Sequence, residues 1–325
     1  MAGVARRQFL IAAGALLAQA GAGAQTGRTY RVIHVNTAAA ERKPAQQAFL
    51  AAMRELGYVE GRNLAFEELS AERDASNLAK IVDRAIARKP DVLLAWESIA
   101  QVIRSKTTTL PVVLLGSLDP VKAGLAQSLA RPGLNVTGFT QLNEQLPAKH
   151  IEILREILPR LARVGQLVDR NASGCRVAEE HSRRAARGIG RELVPYYVTN
   201  RAEIESAFAR MERDPPDALL PCPSTVLYSF RDVLFENVLR LRIPLTSYIV
   251  ARVPRGVLFA HAANLVDLYR RSAGYVDRIL RGAKPGDLPI EQPTTFELVV
   301  NLGTAKALGL AVPQSILLRA DRIVE

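Results

Sequence analysis

The chain has 325 residues, of which 48% are hydrophobic and 23% are charged, and its formal net charge is +11 at pH 7. This composition excludes a disordered or low-complexity protein, and the length suits two lobes of about 150 residues each. The charge does not indicate a nucleic-acid-binding protein, because the arginines alternate with Glu and Asp on predicted helix faces and no basic block is interleaved with aromatic residues.

Residues 1–24 have the features of a cleavable signal peptide. Arg6 and Arg7 precede an uncharged run rich in Ala, Leu and Gly, which ends in small residues suited to cleavage near Ala24. The paired arginines resemble a twin-arginine signal, although Ala5 stands where Ser or Thr is usual, so an ordinary secretory signal is the alternative. A retained anchor is disfavoured, because the run is shorter than the about 20 residues that span a bilayer. We therefore predict an exported, periplasmic protein.

The first half of the remaining chain alternates short β-rich runs with helical patterns. The predicted strands are 30–35, 64–69, 91–95, 111–115 and 136–139, and the predicted helices between and after them are 45–56, 76–88, 99–106 and 121–130. Short polar connections link each strand to its helix. This alternation is typical of a parallel sheet with helices on both faces.

The same alternation then starts again. Predicted helices at 145–158, 177–188, 203–212 and 226–241 alternate with predicted strands at 164–168, 193–198, 218–221, 243–247 and 257–260. The tail continues with a helix at 265–280, a break at 285–289, a strand at 295–300 and a helix at 304–308. We expect the 265–280 helix to pack on the first lobe and the next strand to return to the second, which makes a hinge.

The predicted fold class is therefore α/β, with two doubly wound parallel-sheet lobes joined by a hinge. Lobe 1 comprises 28–140 plus about 264–290, and lobe 2 comprises 141–263 plus about 291–325. Ligands of such sheets bind outside the carboxyl ends of the strands, so the loops of both lobes are expected to line a common cleft that closes by hinge motion.

Several sequence segments carry a family resemblance that extends from about Tyr30 to the C-terminus. They include GYVEGRNL at 57–64, KPDV at 89–92, RPGLNVTG at 131–138, ILRGAKPGDLP at 279–289 and FELVVNL at 296–302. In order and spacing, the chain resembles the substrate-binding proteins of bacterial ABC uptake transporters, in the subfamily whose better known members handle aromatic amino acids. The resemblance implies a type I periplasmic binding fold, a small-molecule solute enclosed between the lobes, and an ABC permease in the inner membrane as partner. We expect a monomer.

The loops of lobe 1 supply the first candidate ligand-binding residues. Asn36 and Thr37 follow the first strand, although capping of the next helix is an equal alternative for both. The other candidates in this lobe are Trp96, Glu97, Ser98, Ser117 and Asp119. Trp96 could stack on a planar ligand or pack in the core. Ser98 is placed to cap a helix, and Asp119 before Pro120 suits a plain N-cap or the binding of an ammonium group.

The candidates in lobe 2 follow its predicted strands in the same way. They are Asp169, Asn171, Ser224, Tyr248 and His261. Polar loop residues are solvent-facing more often than not, so the evidence lies in their convergence on one edge. The loop charges and Trp96 favour a small carboxylate with a planar or aromatic part, such as an amino acid.

Cys175 and Cys222 follow strands that are neighbours in the predicted sheet order, and a disulfide between them is a hypothesis suited to an exported protein. No metal-ligand spacing joins them to His34, His150, His181 or His261, so we expect no metal and no cofactor.

An enzyme is disfavoured, because no nucleophile elbow, zinc-protease motif, phosphate-binding loop or dinucleotide fingerprint occurs. A cleft hydrolase on a similar fold remains an alternative. So does a ligand-sensing receptor for a membrane signalling partner.

Overall fold

A computed structural model describes residues 28–36, 43–71, 77–140 and 146–325. The predicted signal peptide at 1–24 and the candidate Thr37 lie outside the described residues.

The first lobe is built on a six-stranded parallel sheet. Its strands are β1 (Tyr30–Asn36), β2 (Leu64–Ser70), β3 (Val92–Trp96), β4 (Val112–Gly116), β5 (Val136–Phe139) and, from late in the chain, β11 (Ile290–Glu291). The strand order is β11-β5-β4-β3-β1-β2, and every neighbouring pair is parallel. The strands are apolar over most of their length because both faces of the sheet are covered.

Helices cover the two faces of this sheet with separate cores. They are α1 (Lys43–Glu55), α2 (Leu78–Ala87), α3 (Glu97–Lys106) and α9 (Leu265–Leu280). Val32 and Leu94 belong to the core that includes residues of α1 and α9, whereas Ile33 and Leu93 belong to the core beneath α2 and α3. Because successive side chains of a strand point to opposite faces, the two cores give a doubly wound lobe.

The second lobe is built on strands from the rest of the chain. They are β6 (Arg163–Asp169), β7 (Glu192–Val198), β8 (Ala218–Pro221), β9 (Thr246–Ser247), β10 (Phe259–Ala263), β12 (Phe296–Asn301) and β13 (Arg322–Val324). The order β7-β6-β8 continues into β9-β10-β12-β13 through a parallel bridge between Leu219 and Leu245. β12 runs antiparallel to β10, and the other pairs are parallel.

Helices from the described residues surround the second sheet. They are α4 (Leu146–Ile157), α5 (Ser173–Gly188), α6 (Arg201–Arg213), α7 (Thr225–Ser229), α8 (Arg231–Arg240), α10 (Leu302–Leu308) and α11 (Gln314–Arg319). Their apolar faces form two cores, one with Phe208 and Phe235 and the other with Ile151 and Leu154.

Three connections join the sheets. The chain leaves β5 for α4, leaves β10 for α9, and leaves β11 for β12. Two such lobes linked by adjacent connections have a natural hinge. The predicted α/β fold class, with two doubly wound lobes joined by a hinge, is confirmed.

Several predicted elements were wrong. Residues 121–130 form turns rather than a helix, because Gly124 adopts φ +71° and the N–H groups of Leu125 and Ala126 both turn back to the carbonyl of Pro120. The predicted strand at 243–247 is reduced to β9, since Pro244 has no N–H to donate to a ladder.

The predicted helix at 226–241 is interrupted at Phe230, whose φ of −102° and ψ of 24° separate α7 from α8. Among the strands and α-helices that the structure describes, β11, α11 and β13 had not been predicted.

Gly138 provides a test of the sheet in lobe 1. It has φ +123°, and a Cβ there would lie 2.3 Å from the carbonyl oxygen of Leu114 and 2.6 Å from its nitrogen. We expect Gly138→Ala to lower the free energy of unfolding by about 2–4 kcal/mol, because both the backbone conformation and the contact oppose a side chain. Urea denaturation followed by circular dichroism measures this change.

Gly274→Ala is the matched control, since Gly274 lies within α9 and a Cβ there would meet nothing within 4 Å. This variant should raise the free energy of unfolding by up to about 1 kcal/mol through helix propensity. Equal effects of the two substitutions would contradict the sheet geometry.

Candidate functional site

Asn36 ends β1 with its side chain fully buried. Its Nδ2 donates to the carboxylate of Glu68, which orients the amide because a carboxylate only accepts. Asn36 Oδ1 is buried and has no hydrogen-bond partner among the described residues. The end of β1 therefore presents an acceptor that needs a donor.

A buried histidine supports this end of the strand. His34 Nδ1 lies 3.2 Å from Gln46 Nε2, and its Nε2 lies 3.2 Å from the hydroxyl of Tyr269. These contacts tie β1 to α1 and α9. Glu68 belongs to the same cluster, with its carboxylate 3.6 Å from His34 Nδ1.

The ends of β3 and β4 are joined through Glu97. Its Oε2 accepts from Ser117 Oγ at 2.6 Å and from the N–H of Leu118 at 2.7 Å. Trp96 is half-buried and packs against the core that includes residues of α1 and α9. The structure thus places Trp96, Glu97 and Ser117 next to one another.

Two capping predictions in this region need correction. Ser98 does not cap α3, because the extended Trp96 occupies the N-cap position and Ser98 lies inside the first turn. Asp119 caps no helix, since none follows it, but its Oδ1 accepts from the N–H groups of Val121 at 3.1 Å and Lys122 at 2.9 Å. It therefore closes the turn after β4.

Three polar candidates of the second lobe make local bonds. Asp169 is buried at the end of β6, and its Oδ1 accepts from the N–H of Asn171 at 3.0 Å. Asn171 itself is exposed. Ser224 caps α7, with its Oγ accepting from the N–H of Leu227 at 3.0 Å.

Tyr248 follows β9 and is 5% exposed. Its ring stacks on His150 at 4.3 Å between ring centroids, and its Oη has no hydrogen-bond partner among the described residues. Burial raises the pKa of the Tyr248 phenol above its usual range, so the group stays protonated and can donate.

His150 is fixed in one neutral form. Its Nε2 lies 2.7 Å from the carbonyl oxygen of His261, which can only accept, so Nε2 carries the proton. Its Nδ1 then accepts from Thr246 Oγ1 at 3.0 Å. Full burial lowers the pKa of His150 to about 3.

His261 is a further correction, because it lies inside β10 rather than in the loop after it. β10 extends beyond the predicted strand, since it pairs with β12 as far as Ala263. The His261 ring stacks on Phe296 at 5.9 Å between centroids, and its Nδ1 is buried without a partner within the described segments. Burial, with Lys149 nearby, lowers the pKa of His261.

Sequence reasoning missed two residues at the strand ends. Thr140 directly follows β5 and is 3% exposed, and its Oγ1 has no partner among the residues described. Its position after a predicted strand was the available signal. Glu68 was missed because it lies within a predicted strand, where only its bonding to Asn36 reveals its place.

Cys175 and Cys222 form a disulfide, with their Cα atoms 5.4 Å apart. Cys175 lies in the first turn of α5 and Cys222 directly follows β8, which pairs with β6. The bond therefore ties the start of α5 to the carboxyl ends of the strands, where the N–H of Asp169 donates to Cys222 Sγ at 3.3 Å.

The two lobes touch at these ends. A Cβ at Gly174 of α5 would lie 2.4 Å from the Cβ of Leu118, so the side chain of Leu118 rests on Gly174. Nearby, Lys122 Nζ lies 3.9 Å from a carboxylate oxygen of Glu180. The carboxyl ends of the strands of both sheets thus face each other, with the lobes closed.

Within the described ranges, no group of three or more His, Cys, Asp or Glu side chains could hold a metal ion. No helix in the part of the chain that the structure describes combines the length and apolar content of a transmembrane span.

Comparison with known proteins gives concordant matches. The family model for the ABC transporter substrate binding protein matches residues 34–324. A curated "Tyrosine-binding protein" of Clostridioides difficile is 22% identical over 267 residues, which are 82% of this chain and 76% of that protein.

Two solved structures share the fold. A conserved domain protein from Vibrio cholerae has a TM-score of 0.83 and 26% identity, and covers 91% of this chain and 100% of its own. An ABC domain from Streptococcus pneumoniae in complex with L-Trp has a TM-score of 0.84 and 22% identity, with the same coverage.

The buried neutral His150 predicts a loss of stability in acid. The pKa of His150 is about 3 in the folded chain and near 6.5 in the unfolded chain, so between pH 6.5 and pH 3 it is mainly the unfolded chain that takes up this proton. The free energy of unfolding should therefore fall by up to about 1.4 kcal/mol per pH unit as the pH drops from 6.5 towards 3. His150→Gln keeps a polar side chain with a donor and an acceptor but does not titrate, so it should lose this part of the dependence.

Urea denaturation at about pH 7.5 and about pH 4.5 measures the effect. His181→Gln is the matched control, because it makes the same substitution on α5, outside this cluster. If His150→Gln destabilises equally at both pH values, the buried neutral histidine is contradicted.

Proposed function

The chain belongs to the family of ABC transporter substrate-binding proteins, and we propose that its two lobes close around a free aromatic amino acid. As a member of this family it is an extracytoplasmic solute receptor whose partner is an ABC permease. The nature of the solute is the part that we infer from the site.

The observation that carries the proposal is a set of buried polar atoms at the strand ends. Asn36 Oδ1 and Thr140 Oγ1 lie in lobe 1 and Tyr248 Oη in lobe 2, and none has a partner among the described residues. Each buried polar atom without a partner costs about 1–3 kcal/mol. A solute that supplies the missing partners would therefore stabilise the closed form.

The chemistry of these atoms suits an amino acid. Asn36 Oδ1 can only accept, so it matches an ammonium group, and the carboxylates of Glu68 and Glu97 add favourable negative charge nearby. The hydroxyls of Thr140 and Tyr248 can donate to a carboxylate. The acceptor matches the ammonium group of an amino acid, and the two donors match its carboxylate.

An aromatic side chain suits the rest of the site. Trp96 lies half-buried beside Glu97 at the end of β3, and a planar group could stack on its indole. The relatives point the same way, since one is named as a tyrosine-binding protein and one contains L-Trp. Ser117 and Asp169 would shape the walls, whereas Asp119, Ser224 and Asn171 are engaged mainly in local turns and caps. His261 would support the hinge side of the site.

The bounds of the lobes, the localisation and the oligomeric state are also part of the proposal. Lobe 1 would comprise 28–140 and about 264–290, and lobe 2 would comprise 141–263 and about 291–325, in keeping with the strand membership of each sheet. The disulfide suits a periplasmic protein whose signal peptide has been cleaved near Ala24. We assign it no catalytic activity and no nucleic-acid partner, and expect a monomer.

A ligand screen tests the solute class. Using the mature chain from Gln25, we expect L-tryptophan, L-tyrosine or L-phenylalanine to raise the thermal midpoint, because each supplies both charged groups and a planar ring. Tryptamine and 3-indolepropionate, which lack the carboxylate and the amine respectively, should shift it far less. Binding of sugars but not of amino acids would contradict the proposal.

The Tyr248→Phe variant tests one contact of the proposed site, because it removes only the buried hydroxyl. Its affinity for the amino acid should fall about tenfold in calorimetric titration, as expected for one lost hydrogen bond. Tyr197→Phe is the matched control, because Tyr197 is 43% exposed and donates to Glu179 on the surface. Equal affinities of the two variants would contradict a contact between Tyr248 and the solute.

A further inference from the structure

The contact between Leu118 and Gly174 joins the lobes at one point. Leu118 follows Ser117 at the end of β4, and its N–H donates to Glu97 Oε2 at 2.7 Å, which fixes the loop that carries it. Gly174 is buried in the first turn of α5. The two residues come from different sheets, so the contact exists only while the lobes are together.

A glycine is required at position 174 because there is no room for a Cβ, and not because of the backbone conformation. Gly174 lies in a helix and is not among the positive-φ glycines, so any residue could adopt its backbone angles. A Cβ there would nevertheless lie 2.4 Å from both the Cβ and the Cδ1 of Leu118 and 2.7 Å from its Cγ. The distance to Cβ involves the base of the Leu118 side chain, which a change of rotamer cannot move aside.

The lobe 2 side of the contact is rigid. Cys175, the residue after Gly174, is fully buried and bonded to Cys222 at the end of β8. The start of α5 is therefore held to the sheet and cannot withdraw when a side chain presses on it. Any added volume at 174 must push the lobes apart.

We infer that Leu118 and Gly174 act as a knob and a notch that set the spacing of the closed lobes, and are thereby positioning residues for solute binding. The inference rests on the proposed closure around a solute. Asn36 and Tyr248 belong to opposite lobes, so both can reach one solute only at the correct spacing. A methyl group at 174 would hold them too far apart.

The exposed pair Lys122 and Glu180 contributes little stability but provides a direct readout of closure. A water-soluble carbodiimide joins a lysine amine and a carboxylate as an amide only when they are close, and the carbodiimide takes up the water released. Mass spectrometry of the digested chain then quantifies the cross-link between 122 and 180. The cross-link between Lys106 and Asp83, which lie 2.6 Å apart within lobe 1, is the internal control.

We expect Gly174→Ala to reduce the 122–180 cross-link and to lower the affinity for L-tryptophan about tenfold or more, as overpacking of a buried contact does. The 83–106 cross-link should not change. The free energy of unfolding of the ligand-free chain should not fall, because alanine favours the helix.

The double variant Leu118→Gly with Gly174→Ala should recover most of the cross-link and of the affinity, since it removes the Cβ, Cγ and Cδ1 atoms that the new methyl group meets. Failure of the second substitution to rescue the first would overturn the inference. So would a Gly174→Ala variant that cross-links and binds like the parent chain.

The two proposals can fail separately. If L-tryptophan does not bind the parent chain, the proposed solute class fails. The ligand-free parent chain still samples the closed state, so the level of its 122–180 cross-link, its loss in Gly174→Ala and its recovery in the double variant would decide whether the knob and notch set the lobe spacing.

Discussion

The closed form depends on buried polar atoms that the described residues leave without a hydrogen-bond partner. These atoms belong to residues at the end of a strand or directly after one. They are Asn36 Oδ1, Thr140 Oγ1 and Tyr248 Oη, and none has a hydrogen-bond partner among the described residues. In an open form, water can satisfy such atoms at the ends of the strands, but closure removes that water. In the proposed function, closure without a solute is therefore penalised, and a solute with matching groups would remove the penalty, which would couple occupancy to closure.

The surroundings of these atoms are built to be rigid. Tyr248 is backed by His150, whose two ring nitrogens are both engaged, and Asn36 is oriented by Glu68. The disulfide holds the start of α5 to the sheet of lobe 2. Flexibility is left to the three connections between the lobes. In the proposed closure, rigid lobes moving about a hinge would bring preformed groups onto the solute, so little ordering would accompany binding.

Much of the fold could be predicted from the sequence because strand and helix periodicities are local properties. The sheets, the helix at 265–280 and its position on lobe 1 follow from such patterns, and neighbouring strands led to the pairing of Cys175 with Cys222. The turn at Gly124 and the extension of β10 to include His261 depend on backbone angles and strand pairing that composition does not report. Leu118 and Gly174 meet only through the relative position of the lobes, which no local pattern encodes.

The proposed closure around an aromatic amino acid would change the overall dimensions of the molecule, and small-angle X-ray scattering of the mature chain measures them without any substitution. Saturating L-tryptophan should reduce the radius of gyration of the ligand-free chain, and the bound scattering curve should match the closed arrangement described above. A radius of gyration that is unchanged by bound L-tryptophan would contradict closure as the response to the solute.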